Sequence, residues 1–193
     1  GAAPVKPSRL FLGLLGGLLA LAVVLGTLPL LDIKLPQSLQ PLWWGLLLAL
    51  LLIAGLDAAR LRRLPSPRLE RQLPGNLPLG RWSEVRLTLH HDYRQALAVQ
   101  AFDHLPEHMD FEFLPQQVEL HPGEQTEFGY RVRPLKRGHF RFPRCELLLP
   151  SPLRLWQSRR FIDQASETRV YPDFARLYGA QLKAVDDWLS QLG

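Results

Sequence analysis

The sequence predicts two transmembrane α-helices forming a hairpin, then an all-β sandwich, then an amphipathic helix at the C-terminal end. Three observations predict it. No charged residue occurs from Leu10 to Leu31, nor from Leu35 to Leu56. Beyond Arg81 the apolar residues recur at every second position, the period of a strand with one buried face. Beyond Pro172 they recur at every third and fourth position, the period of a helix.

The first apolar stretch, LFLGLLGGLLALAVVLGTLPLL, would span about 33 Å as a helix, enough for the hydrocarbon core. A secretory signal is the competing reading, because Lys6 and Arg9 precede the stretch and Ala20-Leu21-Ala22 resembles a cleavage site. The run continues past that site and a second apolar run follows, which favours a membrane hairpin. Helices are therefore expected over about 10–31 and 41–57, within a hairpin of residues 1–59. Pro41 suits a first helical turn. Trp43 and Trp44 stand where interfacial aromatic residues belong, and Asp57 closes the second helix. Gly13, Gly16 and Gly17 offer a small-residue stripe for close helix packing.

Residues 60–80, RLRRLPSPRLERQLPGNLPLG, are expected as a basic, proline-rich linker. Arg60, Arg62, Arg63, Arg68 and Arg71 follow the second helix, whereas the loop between helices holds only Lys34, offset by Asp32. The excess of cations on the two outer flanks puts both ends of the hairpin in the cytoplasm. The arginines act as a stop signal against anionic headgroups. The net charge of +5 matters less than this placement.

Residues 81–172 are expected to form an antiparallel, immunoglobulin-like sandwich of six to eight short strands. The inward rows are Val85, Leu87 and Leu89; Leu97, Val99 and Ala101; Phe111 and Phe113; Val118 and Leu120; Phe128, Tyr130 and Val132; and Cys145, Leu147 and Leu149. His121-Pro122-Gly123-Glu124 and Lys136-Arg137-Gly138-His139 are expected hairpin turns. Residues 173–193 then form the amphipathic helix, with Asp173 as its N-cap and Phe174, Leu177, Tyr178, Leu182, Val185, Trp188, Leu189 and Leu192 on its apolar side. It would lead into a further domain, and the chain is expected to be a fragment of a larger protein.

Candidate chemistry is thin. His104 and His108 have a helical ligand spacing, but Pro106 between them breaks a helix. His90 and His91 are adjacent and would point to opposite sides of a strand. Cys145 and His139 form a conceivable nucleophile–base pair without an orienting third group. A single cysteine excludes an intramolecular disulfide. No phosphate loop or serine elbow is present. Arg131, Arg133, Lys136, Arg137, Arg141 and Arg144 make a basic cluster around one turn, read as a solvated or docking face rather than a nucleic-acid site. No catalytic, metal or cofactor residue is assigned, and no cofactor and no nucleic acid is expected.

Arg137-Gly138-His139-Phe140, Ser151-Pro152-Leu153-Arg154-Leu155 and Val170-Tyr171-Pro172 together resemble turn motifs of the bacterial domain-of-unknown-function-58 family. That family opens with two membrane helices and carries a von Willebrand factor A-like domain further on, of which this chain shows nothing. It often has Asp-Pro-Phe-Gly-Leu where this chain has Ser-Pro-Leu-Arg-Leu. The resemblance implies an inner-membrane, multi-pass protein with its soluble part in the cytoplasm. It implies a non-enzymatic role beside a MoxR-type AAA+ ATPase in protein assembly or maturation. The rival is a periplasm-facing accessory of an envelope enzyme such as a transglutaminase-like membrane protein. Arg137, Gly138, Tyr171 and Pro172 are the structural turn and interaction candidates, with the lipid bilayer as the other partner. Arg137 would brace a neighbouring carbonyl or carboxylate, and Gly138 would take a positive φ.

Overall fold

A computed structural model describes residues 4–172 and 174–192. Ser8 starts helix α1 (Arg9–Thr27) because its hydroxyl oxygen accepts the free N–H of Phe11 at 3.2 Å. A single 3-10 turn, Leu28–Leu31, follows and ends at Asp32 in the left-handed region. Helix α2 (Leu39–Arg63) begins two residues before the expected Pro41 and runs six beyond the expected end at Asp57. The alanines and long side chains of Ala58–Arg63 are good helix formers, and nothing breaks them before Pro65. Both helices are long and apolar enough to cross a bilayer, and most of their surface is exposed. A Cβ placed on Gly13, Gly16 or Gly17 would meet nothing within 4 Å, so the small-residue stripe carries no close packing.

The described residues include ten strands. They are β1 (Val5–Pro7), β2 (Arg68–Gln72), β3 (Asn76–Pro78), β4 (Ser83–His90), β5 (Leu97–Asp103), β6 (Met109–Glu112), β7 (Gln116–Leu120), β8 (Thr126–Pro134), β9 (Gly138–Pro150) and β10 (Trp156–Tyr171). They form two sheets in a sandwich-like arrangement. One has the order β1-β10-β9-β5-β7, with β3 pairing β10 in parallel; the other has the order β2-β4-β8-β6. A last helix, α3 (Phe174–Gln191), ends the chain. Leu182, Val185, Trp188 and Leu189 on it, and Leu192 just after it, are exposed. The expected N-cap, Asp173, lies outside the described residues.

Contacts divide the chain into two units. The first holds Gly1–Ser66, Leu97–Val99 and Leu147–Arg160; the second holds Pro67–Ala96, Gln100–Glu146 and Phe161–Gly193. These two units interleave the stretches 1–59, 60–80, 81–172 and 173–193. The tip of β9 and β10 belongs with the helices, and the expected linker supplies strands. Within residues 60–80, β2 pairs with β4 in the register Arg68↔His90 to Gln72↔Arg86, and β3 pairs with the far end of β10.

In the second unit the expected rows are largely inward: Val85, Leu87, Leu89, Leu120 and Val132 are fully buried. The pair Phe111 and Phe113 differs. Both are exposed, and Met109 fills the inward place on β6 instead. Phe113 has φ 71°, which turns the chain out of the strand and ends the alternation. The two expected hairpin turns also differ. His121–Glu124 and Lys136–His139 join β7 to β8 and β8 to β9, and each pair lies in different sheets. Both turns are thus crossovers. The basic residues flanking the second turn are divided between sheets as well, with Arg131 and Arg133 on β8 and Arg141 and Arg144 on β9.

Arg71, counted among the membrane-flanking cations, is instead a core residue. Its guanidinium holds Asp103 in a two-pronged pair, 3.0 and 2.5 Å, with both side chains fully buried. It also donates to the carbonyls of Phe142 (3.1 Å) and Gln164 and to the Ser166 hydroxyl. The Tyr130 hydroxyl donates to the second Asp103 oxygen. Burial pushes the Asp103 carboxyl up, and the Arg71 and Tyr130 donors pull it back. Burial, reinforced by Asp103, raises the Tyr130 phenol and keeps it a donor. Replacing Arg71 by Ala strands a buried carboxyl. A loss of about 3–5 kcal/mol is expected in denaturant unfolding of the detergent-solubilised chain.

Cys145 is fully buried on β9, and burial pushes its thiol up to about 12. Two outcomes are expected. The native thiol stays unmodified by a thiol reagent at pH 8 and reacts only on unfolding. Stability declines as pH rises from about 9 to about 12, because the unfolded thiol ionises first.

Candidate functional site

The densest polar construction of the first unit surrounds Asp57, which sits two helical turns before the end of α2 and is 1% exposed. Three donors converge on its carboxyl group: the Ser151 hydroxyl at 2.5 Å, the Leu153 N–H at 2.9 Å and the Leu155 N–H at 3.3 Å. These belong to the loop Ser151–Leu155, which joins β9 to β10. Arg154 takes φ 61° there, and its N–H closes the turn on the Ser151 carbonyl at 2.9 Å. The remaining N–H groups are also engaged. Ser151 donates to the Trp156 carbonyl (2.9 Å), and Trp156 donates to the Ser151 hydroxyl oxygen (3.0 Å). Pro152 has none to place. Every N–H from Ser151 to Trp156 therefore has a partner, and two of the five rely on Asp57.

The start of α1 grips the same loop. The Ser8 hydroxyl donates to the Arg154 carbonyl at 2.6 Å, and the Ser8 N–H donates to the Leu155 carbonyl at 2.9 Å. β1 continues this as an antiparallel pairing, Val5↔Ser158 to Pro7↔Trp156. Between the helices, Phe11, Ala54 and Leu155 form a buried cluster with Leu15, Leu50 and Trp156 packed against it. The Phe11 and Trp156 rings are 5.0 Å apart, and the Trp156 indole N–H donates to the Ala54 carbonyl at 2.8 Å.

Arg160 on β10 completes the assembly by capping α2. It donates to the carbonyls of Leu61 (2.8 Å) and Leu64 (2.6 Å) and to the Ser66 hydroxyl (3.1 Å), and Ser158 accepts at 3.0 Å. A helix C-terminus leaves carbonyls unpaired and carries partial negative charge, so a buried cation suits it.

The arrangement is mechanical rather than reactive. Ser151 is 1% exposed and its oxygen is bonded on both sides, so it presents no nucleophile to solvent. Among the described residues four histidines each lie beside one carboxylate: His90 with Glu70 at 3.4 Å, His104 with Glu146 at 3.1 Å, His121 with Glu119 at 3.9 Å and His139 with Glu167 at 3.3 Å. Cys145 points its thiol at the Glu146 carbonyl, 4.0 Å away, while His139 is exposed. At the other end of the hairpin a cleft of about 730 Å³ is lined by residues including Pro36, Gln37, Gln40 and Trp43, with no titratable side chain.

Of the candidates drawn from the sequence, Gly138 takes φ 145°, a conformation glycine tolerates best. Arg137 is exposed, and its side chain makes no hydrogen bond among the described residues. Tyr171 ends β10 opposite Pro78, and its carbonyl accepts from Leu79 at 2.9 Å; Pro172 is half-buried. Trp43 donates its indole N–H to the Leu18 carbonyl at 2.8 Å, and Trp44 is exposed. Arg60, Arg62 and Arg63 are exposed in the last turn of α2. None of these is among the hydrogen-bond partners of Asp57, which are Ser151, Leu153 and Leu155. An acidic residue followed by a further helical turn is the signal that marks it, because an ionisable group in an apolar helix demands a partner. Its partner Ser151 is 94 residues away and leaves no local signal.

No protein-family model and no curated protein matches the chain. Among solved structures it is similar to a FixG-related protein from Vibrio parahaemolyticus, with 10% identity and a TM-score of 0.35 over 54% of this chain and 94% of that one.

Asp57→Ala leaves the loop amides without an acceptor, each worth about 1–3 kcal/mol. Trypsin is expected to spare the Arg154–Leu155 bond in the detergent-solubilised wild type and to cut it in the variant. Equal resistance in both would show that Asp57 does not hold the loop.

Proposed function

We propose that the chain is a non-enzymatic, membrane-anchored interaction module whose β-hairpin tip is seated at the inner edge of the bilayer. The complete pairing of the Ser151–Trp156 N–H groups carries this reading. A hydrocarbon core of about 30 Å takes about 20 helical residues. Counted from Leu39, they end at Ala58. Ala54 and Asp57 then fall in the last embedded turn, beside the loop. Irregular backbone survives at such depth only where each polar group finds a partner in the protein. Asp57, Ser8 and Ser151 supply those partners, and the Trp156 ring is the amphipathic kind that settles at this level.

On this reading both helices cross the inner membrane, the arginines after α2 face the cytoplasm, and the soluble part is an immunoglobulin-like sandwich on that side. The family resemblance supports a MoxR-type AAA+ ATPase as partner, in assembly or maturation of other proteins. The sheet carrying β2, β4, β8 and β6 bears paired charges, Arg131 with Glu112 and Arg133 with Asp110, and both arginines lie over Trp82.

The chain is expected to stay with membranes under alkaline carbonate. A reporter active only in the periplasm, fused after Gly193, is expected to be silent. Release into the supernatant removes the anchor; reporter activity places the soluble part in the periplasm and supports the envelope-accessory alternative. Capture of a MoxR-type ATPase should be lost on deleting residues 81–172, and equal capture without them removes the docking role.

A further inference from the structure

We propose that the end of the first unit bearing the Ser151–Leu155 loop binds anionic phospholipid headgroups, with Leu153 and Arg154 as its tip. This rests on the membrane reading above and adds the class of lipid.

The charge distribution is one-sided. Lys6, Arg9, Arg60, Arg62, Arg63 and Arg154 are exposed there. The first unit contains two acidic residues, Asp32 and Asp57. Asp32 lies beyond the opposite end of α1, and Asp57 is buried and fully engaged by the loop. The first unit itself offers these six cations no exposed carboxylate at this end. Among the described residues none of them makes an ion pair. What sets the first unit apart is its acid content: the second unit holds sixteen acidic residues, and Arg86, Arg131 and Arg133 there each sit within 3.4 Å of one. The excess of cation over acid in the first unit points to an anion from outside it.

The loop geometry brings part of this charge together. Ser8 holds the Arg154 and Leu155 carbonyls, so the Arg154 backbone lies against the residue that precedes Arg9 at the start of α1. The left-handed turn at Arg154 buries Leu155 to 4% and leaves Leu153 50% exposed. An exposed leucine followed by a cation, at the depth of the last embedded turn of α2, matches the layering of a leaflet. Leu153 meets acyl chains, and Arg154 with Arg9 meets phosphate. Guanidinium suits this because its planar donors pair with phosphate oxygens in two-pronged fashion.

The full chain is reconstituted in bilayers of equal parts neutral phosphatidylcholine and anionic phosphatidylglycerol. It is then released in mild detergent, and the lipids that remain bound are identified by mass spectrometry. Retention of phosphatidylglycerol over phosphatidylcholine is expected to exceed the bilayer ratio at least about fivefold, the factor one surface cation contributes. Arg154→Gln and Arg9→Gln should each remove about that factor, and Arg141→Gln on β9 should leave the ratio unchanged. A wild-type ratio near one, or an unchanged ratio in both tip variants, overturns the proposal. Displacement of the lipid by millimolar inorganic phosphate would mean a free-anion site and overturns it as well. A chain that enters bilayers at the bulk lipid ratio loses only this inference. A chain that never enters them loses the anchor too.

Discussion

Asp57 takes a hydroxyl and two backbone N–H groups from a loop that lies 94 to 98 residues further along the chain. The arrangement solves two problems at once. An acidic side chain within an apolar helix is costly unless hydrogen-bonded. A tight loop pressed against that helix has amides that cannot reach water, and these are costly for the same reason. Each group satisfies the other. The surrounding contacts depend on this pairing. Leu155 can be buried against Phe11 and Ala54 only because its own N–H is already bonded. Trp156 can spend its indole N–H on the Ala54 carbonyl because its backbone N–H is bonded to Ser151.

The same logic recurs at two other places. Arg160 finishes α2, where the last carbonyls would otherwise be bare, and thereby fixes β10 to that helix. Arg71 does comparable work within the second unit, where it meets a carboxyl and two carbonyls far apart in sequence. In each case one long cation meets several acceptors from separate segments. Such networks rigidify a fold when complete and become costly when a single member is removed.

The apolar architecture was legible early. The helices, the inward rows from Val85 to Leu149 and the helical period after Pro172 follow from periodicity, which needs no knowledge of partners. Phe111 and Phe113 show its limit. Their alternation is correct, but β6 is four residues long and the chain leaves it at a left-handed Phe113, so the row never closes inward. The turns around Gly123 and Gly138 show another limit. Turn chemistry fixes where the chain reverses, not whether the next strand joins the same sheet.

By itself the sequence determined where chain can be helix, where it can be strand, and on which flanks the cations lie. These are local properties, set by side-chain period, proline and charge within a few residues. Only the tertiary structure decided that Asp57 is a receptor for a loop rather than the end of a helix. It likewise decided that Arg71 is a core residue rather than a membrane flank, and that Arg160 is a helix cap. Each of those roles belongs to a pair of groups, and a hydrogen bond across some 30 to 100 residues is specified by geometry that no single stretch of chain contains.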